Sequence, residues 1–250
     1  MKIFLSAIEG QEILPKKIVQ EKDKMKYNLM SFYGIKGKNV DNSIYIRDNS
    51  EEIMIDSGAH SFQKGKKVNW DEYTKQYAEF IKNFDRPNVV GYFEMDVDNI
   101  IGYDKVLELR QILEKVSNKI IPVWHKNRGI NEYKKMCKDY AGKVVAITGF
   151  KNEDIKDEQY LMFLKYAKKY NCKVHCLGMT RKKILDKVPF DYVDSSSWLQ
   201  NSVYGVVIDK GRVSKEYSKY HRDKVLLENY KKGMKMQEYY YEKWEKINND

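Results

Sequence analysis

A closed barrel of eight parallel strands ringed by helices, a (β/α)8 TIM barrel, is the fold class this sequence predicts. Three observations lead there. Short apolar runs rich in Val, Ile, Phe and Tyr alternate with amphipathic stretches of helical period. The runs are apolar almost throughout, as strands covered on both faces of a parallel sheet are. Eight of them fall within residues 1–200, the number that closes such a barrel. An open doubly wound sheet shares the same alternation and is the alternative.

The elements follow in order. KIFLSAI (2–8) reads as a first core strand; its short apolar run gives way to Glu9, Pro15 and Lys16, unlike a signal peptide. NLMSFYGI (28–35) and IMID (53–56) read as the second and third strands. WDEYTKQYAEFIKNF (70–84) has helical period and leads into a fourth strand, VVGYFEMD (89–96). YDKVLELRQILEKVS (103–117) reads as helix, IIPVWH (120–125) as strand, NEYKKMCKDYA (131–141) as helix and VVAITGF (144–150) as strand. DEQYLMFLKYAKKY (157–170), CKVHCLGM (172–179), RKKILDKV (181–188) and FDYVDS (190–195) complete the alternation. Residues 201–250 form a C-terminal extension on the barrel. SVYGVVIDKGRV reads as a strand pair, and basic, Tyr-rich helices follow, packing on the barrel with Val225, Leu226 and Met236 inward. The same lysines and tyrosines suit a nucleic-acid surface, the other use of that segment.

Composition narrows the function classes. The hydrophobic fraction of 42% and charged fraction of 33% suit a soluble globular chain, and no run of about 18 apolar residues offers a membrane span. The formal charge of +10 favours a polyanionic partner, although a Lys-, Asn- and Tyr-rich composition also follows from an AT-rich genome. Three cysteines, Cys137, Cys172 and Cys176, are too few for a disulfide framework, and reduced thiols imply a cytoplasmic protein. Cys172 and Cys176 bracket His175, but the two close pairs usual for structural zinc are missing, and no metal is expected.

In a barrel of this type the chemistry sits where strands end. Glu9, Asp56, the Glu94, Asp96 and Asp98 group, His125, Gly149, His175 and Asp194 fall at such ends. A single Asp there also serves as a helix N-cap. Small residues follow two of the acids, in "SGA" and "SSS"; they let a ligand approach the backbone. Two carboxylates facing across a pocket suit chemistry at an anomeric carbon: one attacks the sugar and the other handles the proton. Asp194 is then the nucleophile.

These residues also carry a resemblance. IDSGAHSFQ (55–63) resembles the "DSG-F-Q" signature of tRNA-guanine transglycosylases. VDSSSW (193–198) resembles the "FDS-SY" segment of their archaeal branch, which holds the nucleophile. HCLGMT (175–180) is similar to the "LFG-G" turn, FEMDVDN (93–99) to the segment with the base-recognising Asp, and IPVWH (121–125) stands where the family has "PVVQG". The five motifs keep the family's order, and in size the chain is most similar to the DNA 7-deazaguanine transglycosylases of phages and bacteria. The resemblance implies a base exchange. Asp194 attacks C1′ of a target guanosine and expels guanine; a 7-deazaguanine, with Asp56 as general base or acid, then displaces Asp194 with net retention. It implies Asp96 as reader of the base N1–H and amine, the Gly149 N–H as donor to a base carbonyl, and His60 or Phe62 below and Leu177 above the ring. The wider substrate-binding set on this reading adds Ser57, Gly58, Glu94, His125, His175, Gly178, Ser195 and Trp198. No cofactor is required.

The family's zinc-binding Cys cluster and C-terminal RNA-binding domain have no counterpart here, and His125 stands where Gln is usual. These departures favour DNA, or a free nucleoside or nucleotide, over tRNA. Two other classes fit the same residues: a metal-dependent hydrolase built on His125, His175 and carboxylates, and a non-catalytic barrel that binds a nucleobase or nucleotide.

Overall fold

The structure is a computed structural model describing residues 1–62, 68–149 and 155–249; the side chain of His60 and the residue Gln63 lie outside the described set. Strands β1 (Lys2–Ser6), β2 (Met25–Ser31), β3 (Ser50–Asp56), β4 (Val89–Phe93), β5 (Ile120–Ile121), β6 (Val123–Trp124), β7 (Val144–Thr148), β8 (Lys173–Leu177) and β9 (Tyr192–Ser195) form one parallel sheet. Their order is β5-β4-β3-β2-β1-β9-β8-β7-β6. The two ends of that row, β5 and β6, are one extended segment broken at Pro122. Proline has no N–H to give a ladder, so β5 pairs back to β4 and β6 pairs on to β7. The Pro122 carbonyl still accepts the Ala146 N–H at 2.9 Å. Taken as a single strand, 120–124 closes the ring, which is the eight-stranded (β/α) barrel the sequence predicts.

Side chains alternate in and out along each strand. Phe4, Leu29, Met54, Phe93, Ile121, Val123 and Ala146 fill the barrel. Their neighbours in sequence face the helices and form two outer clusters. One lies under α1 (Ile13–Gln20), α4 (Trp70–Phe84) and α6 (Tyr103–Glu114); the other lies under α7 (Gly129–Asp139), α8 (Tyr160–Lys168) and α9 (Lys182–Leu185). Helix α4 illustrates the local logic. Asn69 caps it by accepting the Glu72 N–H at 3.1 Å, Asp71 and Glu72 occupy its positive end, and Tyr73, Tyr77, Ile81 and Phe84 recur on the buried face.

Two segments differ from the sequence reading. The second strand ends at Ser31, and Phe32–Ile35 turns into a short helix, α2. Phe32 there packs between Tyr73, Tyr77 and Phe80, with centroids 5.0–5.3 Å apart, a contact an extended continuation would lose. Helices α1 and α3 (Val40–Asp48) also fill stretches without a clear helical period.

Helix α5 (Asp98–Ile101) follows β4, whereas α10 (Ser197–Val203), β10 (Val206–Val207), β11 (Gly211–Arg212), α11 (Lys215–Tyr220) and α12 (Arg222–Asn249) follow β9. Strands β10 and β11 pair antiparallel. Helix α12 lies along β1. Gly233 sits against Leu5, where an added Cβ would come within 2.9 Å of the leucine methyls. Gln237 Nε2 donates to the Ile3 carbonyl at 2.8 Å and the Tyr27 carbonyl at 2.7 Å, bridging β1 and β2. Val225 and Leu226 are buried and Met236 half-buried on that face. Among the described residues no helix is long and apolar enough to cross a membrane.

Candidate active site at the barrel mouth

Asp194 is the penultimate residue of β9, in register with Phe4 on β1, and points inward. Three donors converge on it. The Gly178 N–H reaches Oδ1 at 2.8 Å, His175 Nε2 lies 3.0 Å from the same oxygen, and Ser6 Oγ donates to Oδ2 at 3.2 Å. Gly178 adopts φ 63°, a left-handed turn suited to glycine, and this aims its N–H back at the strand end. His175 is fully buried inside the barrel, edge-on to Phe93 at 5.0 Å. All three partners donate to the carboxylate, two of them to Oδ1, and among the described residues Oδ2 is met only by the Ser6 hydroxyl.

Asp56 ends β3, which β2 and β1 separate from β9, and is paired in register with Ser31. Its donors are backbone N–H groups, Gly58 at 3.1 Å and, more weakly, Ser57. Gly58 has φ 74°, and a Cβ there would fall 2.4 Å from Tyr33 Cβ. Burial pushes the Asp56 carboxyl up to about 7; the Gly58 N–H works against the rise, and the charges of Asp96 and Asp194 add to it. Asp56 and Asp194 lie at the C-terminal ends of β3 and β9 and Asp96 lies just past β4, so all three acids stand at one mouth. Beside them Glu9, also pushed up to about 7 chiefly by burial, accepts the Ser31 N–H at 3.1 Å.

Asp96 follows β4, half-buried, and His125 Nε2 lies 2.6 Å from its Oδ1. Burial opposes the charged ring, yet the Asp96 carboxylate prevails and pushes His125 up to about 9. Asp98 lies on the same side, bound by Arg128 Nε at 2.9 Å and Asn127 Nδ2 at 3.0 Å. Burial works against its charge, but these donors hold it below the usual carboxylate range. Asp96, Asp98 and His125 present ligand atoms within 4.8 Å of one another, the arrangement a cation would use. Arg128 reaches into the same cluster, with Nη2 3.7 Å from Asp96 Oδ1 and Nε 2.9 Å from Asp98 Oδ2. His175 belongs with Asp194 instead, so the two histidines do not converge.

Several expected site residues have other work. Glu94 is fully buried and paired with Arg110 Nε at 2.5 Å and Arg128 Nη1 at 3.0 Å, with the Val123 N–H at 2.8 Å. It joins strands to α6 rather than meeting a ligand. The Gly149 N–H is bonded to the Leu177 carbonyl at 2.8 Å, so it is not available to a base; a Cβ at 149 would strike Cys176 Sγ at 2.7 Å. Trp198 is 1% exposed, its indole N–H on the Ser6 carbonyl at 2.9 Å and its ring edge-on to Tyr230. It fastens α10 and α12 to β1. Ser195 points away from Asp194 and its Oγ lies 2.7 Å from Ser197 Oγ, shaping the start of α10. Ser57 is buried, and its carbonyl accepts from Tyr73. Phe62 is half-buried against Tyr33, Trp70 and Tyr73. Leu177, half-buried at the end of β8, stays near the mouth. Cys172 and Cys176 face the outer cluster while His175 faces in, which separates the three.

Ser6 and Arg128 are the functional neighbours the sequence reading missed. Inward parity with Phe4 marks Ser6 as a mouth residue; Arg128, beyond the strand in a turn, has no such signal.

No protein-family model matches this chain, and no curated protein matches it significantly. Among solved structures it is similar to a crystal structure described as a fructose-1,6-biphosphate aldolase from Coccidioides immitis. The match covers 95% of this chain and 90% of that one, with a TM-score of 0.57 and 11% identity. At that identity the likeness is one of fold, and it agrees with the barrel.

Proposed function

We propose that this chain exchanges a purine base on a nucleic acid, DNA in preference to tRNA, through a covalent ribosyl bond to Asp194. The observation that carries the reading is the contrast between an acceptor carboxylate fixed by three donors and a second carboxyl, Asp56, poised near neutrality across the same mouth. In the first step Asp194 Oδ2 bonds to C1′ as the C1′–N9 bond breaks and its electron pair leaves on guanine, which takes a proton from Asp56. In the second, Asp56 receives the proton of an incoming 7-deazaguanine, whose nitrogen displaces Asp194. A carboxyl with its midpoint near the working pH serves both directions. Asp96 Oδ2, with no hydrogen bond among the described residues, is the acceptor for the base amine and N1–H, and Leu177 and Phe62 are candidates to flank the ring.

The test is incorporation of labelled guanine into DNA and tRNA substrates in parallel. Label entering either polymer, and lost with Asp194→Asn, supports exchange. Label entering neither with folded protein overturns it.

A further inference from the structure

The aromatic and basic residues of the C-terminal extension divide into two sets. In α12, Tyr230, Tyr240 and Trp244 are buried against the barrel, and Lys231, Lys232 and Lys243 pair with Glu21, Asp209 and Asp186. That helix commits these tyrosines and lysines to packing and ion pairs. The segment before it exposes its tyrosines, although Tyr217 meets the His221 ring at 4.5 Å and Lys210 pairs with Glu228. Tyr204 is 68% exposed, Tyr217 44% and Tyr220 71%. In sequence, residues 203–224 hold six Lys/Arg against three Asp/Glu. Arg212 on β11 is exposed and makes no ion pair among the described residues.

This segment lies at the level of the mouth. Helix α12 descends β1, with Gly233 at Leu5, Gln237 at Ile3 and Trp244 Nε1 on the Leu185 carbonyl. At about 1.5 Å per residue, its start at Arg222 lies roughly 16 Å beyond Gly233, on the side of the strand C-termini. Asn229, one turn above Gly233, holds Ser202 Oγ, the Val206 carbonyl and the Ile208 N–H, each at 2.8 Å. Helix α10 and the β10–β11 pair therefore sit at the rim, and α10 begins directly after the strand that carries Asp194.

We propose that residues 203–224 form a track for single-stranded nucleic acid along the β1–β9 side of the mouth. Tyr204, Tyr217 and Tyr220 would stack on unpaired bases while Arg212 and its neighbours neutralise phosphates. A single strand is favoured over a duplex because only unstacked bases offer their faces to tyrosine rings, and a base bound for the mouth must leave its stack. That the track delivers a nucleotide to Asp194 rests on the exchange reading; the binding itself does not.

The experiment is fluorescence anisotropy with a labelled mixed-sequence single-stranded DNA oligonucleotide and a hairpin duplex of equal length, across a salt series. The expected result is tighter binding to the single strand, weakening as salt rises. Joint replacement of Tyr204, Tyr217 and Tyr220 by Ala weakens it at least tenfold without lowering Tm, and Arg212→Glu weakens it severalfold with a shallower salt slope. Tyr239→Ala, exposed at the far end of α12, leaves it unchanged. Equal binding to the duplex, wild-type affinity in the triple variant, or no binding by the wild type would overturn the track. Intact binding with no base exchange would instead retire the exchange chemistry and leave the track standing.

Discussion

Two aspartates at the same mouth live in opposite surroundings. Asp194 is met by a backbone N–H, an imidazole and a hydroxyl. Asp56 has only backbone N–H donors, Gly58 and more weakly Ser57, and is crowded by burial and by the charges of two other acids, which push it up to about 7. The difference teaches that residue type alone does not assign roles. Donor count separates an acceptor suited to attack from an acid suited to carrying a proton.

The sharpest way to break this contrast is Asp194→Asn, which keeps the shape and removes the charge. Exchange should fall by on the order of 10⁴, measured as label incorporated per hour, while the Tm stays within a few degrees. Activity near wild type would assign the attack elsewhere.

Asp56→Asn should cost less activity, roughly 10²–10³ for loss of a proton-transfer group, and should stabilise the fold. The sign follows from the raised carboxyl. Unfolded, the group ionises near its ordinary value of 3.8; folded, near 7. The native state therefore holds a proton that the unfolded chain has released, and stability declines as pH rises between those values. Above pH 7 the full penalty applies, about 2–4 kcal/mol, and below pH 4 it vanishes. Urea unfolding at pH 8 and pH 4 should show the variant's advantage only at the higher pH. An equal advantage at both would deny the raised value.

Gly178→Ala sharpens the Asp194 side. A Cβ at φ 63° costs about 1 kcal/mol and displaces the N–H that holds Oδ1, so exchange should fall about tenfold. Gly37→Ala, also at positive φ but with open space around it, carries the same backbone strain. It should lower stability to the same degree and leave exchange intact. The smallest expected effect is that of a chelator such as EDTA, which should leave exchange unchanged, because the exchange steps use Asp194 and Asp56 and Arg128 already pairs with Asp96 and Asp98.

The barrel was legible because most of the parallel strands carry a largely apolar run and the longer helices have a clear period, whereas α1, α3 and the early end of β2 at Ser31 were not, and Pro122 hid that one strand appears as two. Acids at strand ends were legible for the same reason, since a carboxylate at the end of an apolar run has to face an opening or a partner. What the pattern did not convey was direction. Ser195 follows Asp194 by one residue and so points the opposite way. Glu94 likewise turns outward, into Arg110, while its neighbour in parity, Phe93, fills the barrel. Trp198, Tyr230 and Tyr240 proved to be packing residues because α12 folds back along β1, a long-range contact with no local signature.

The central claim is a covalent bond from ribose to Asp194. Intact-protein mass spectrometry after acid quenching, with a guanine-containing oligonucleotide and no incoming base, tests it most directly. The account predicts a protein–oligonucleotide adduct that maps to the peptide containing Asp194 and is absent in Asp194→Asn. Base exchange proceeding with no adduct, or with one on another residue, would contradict it.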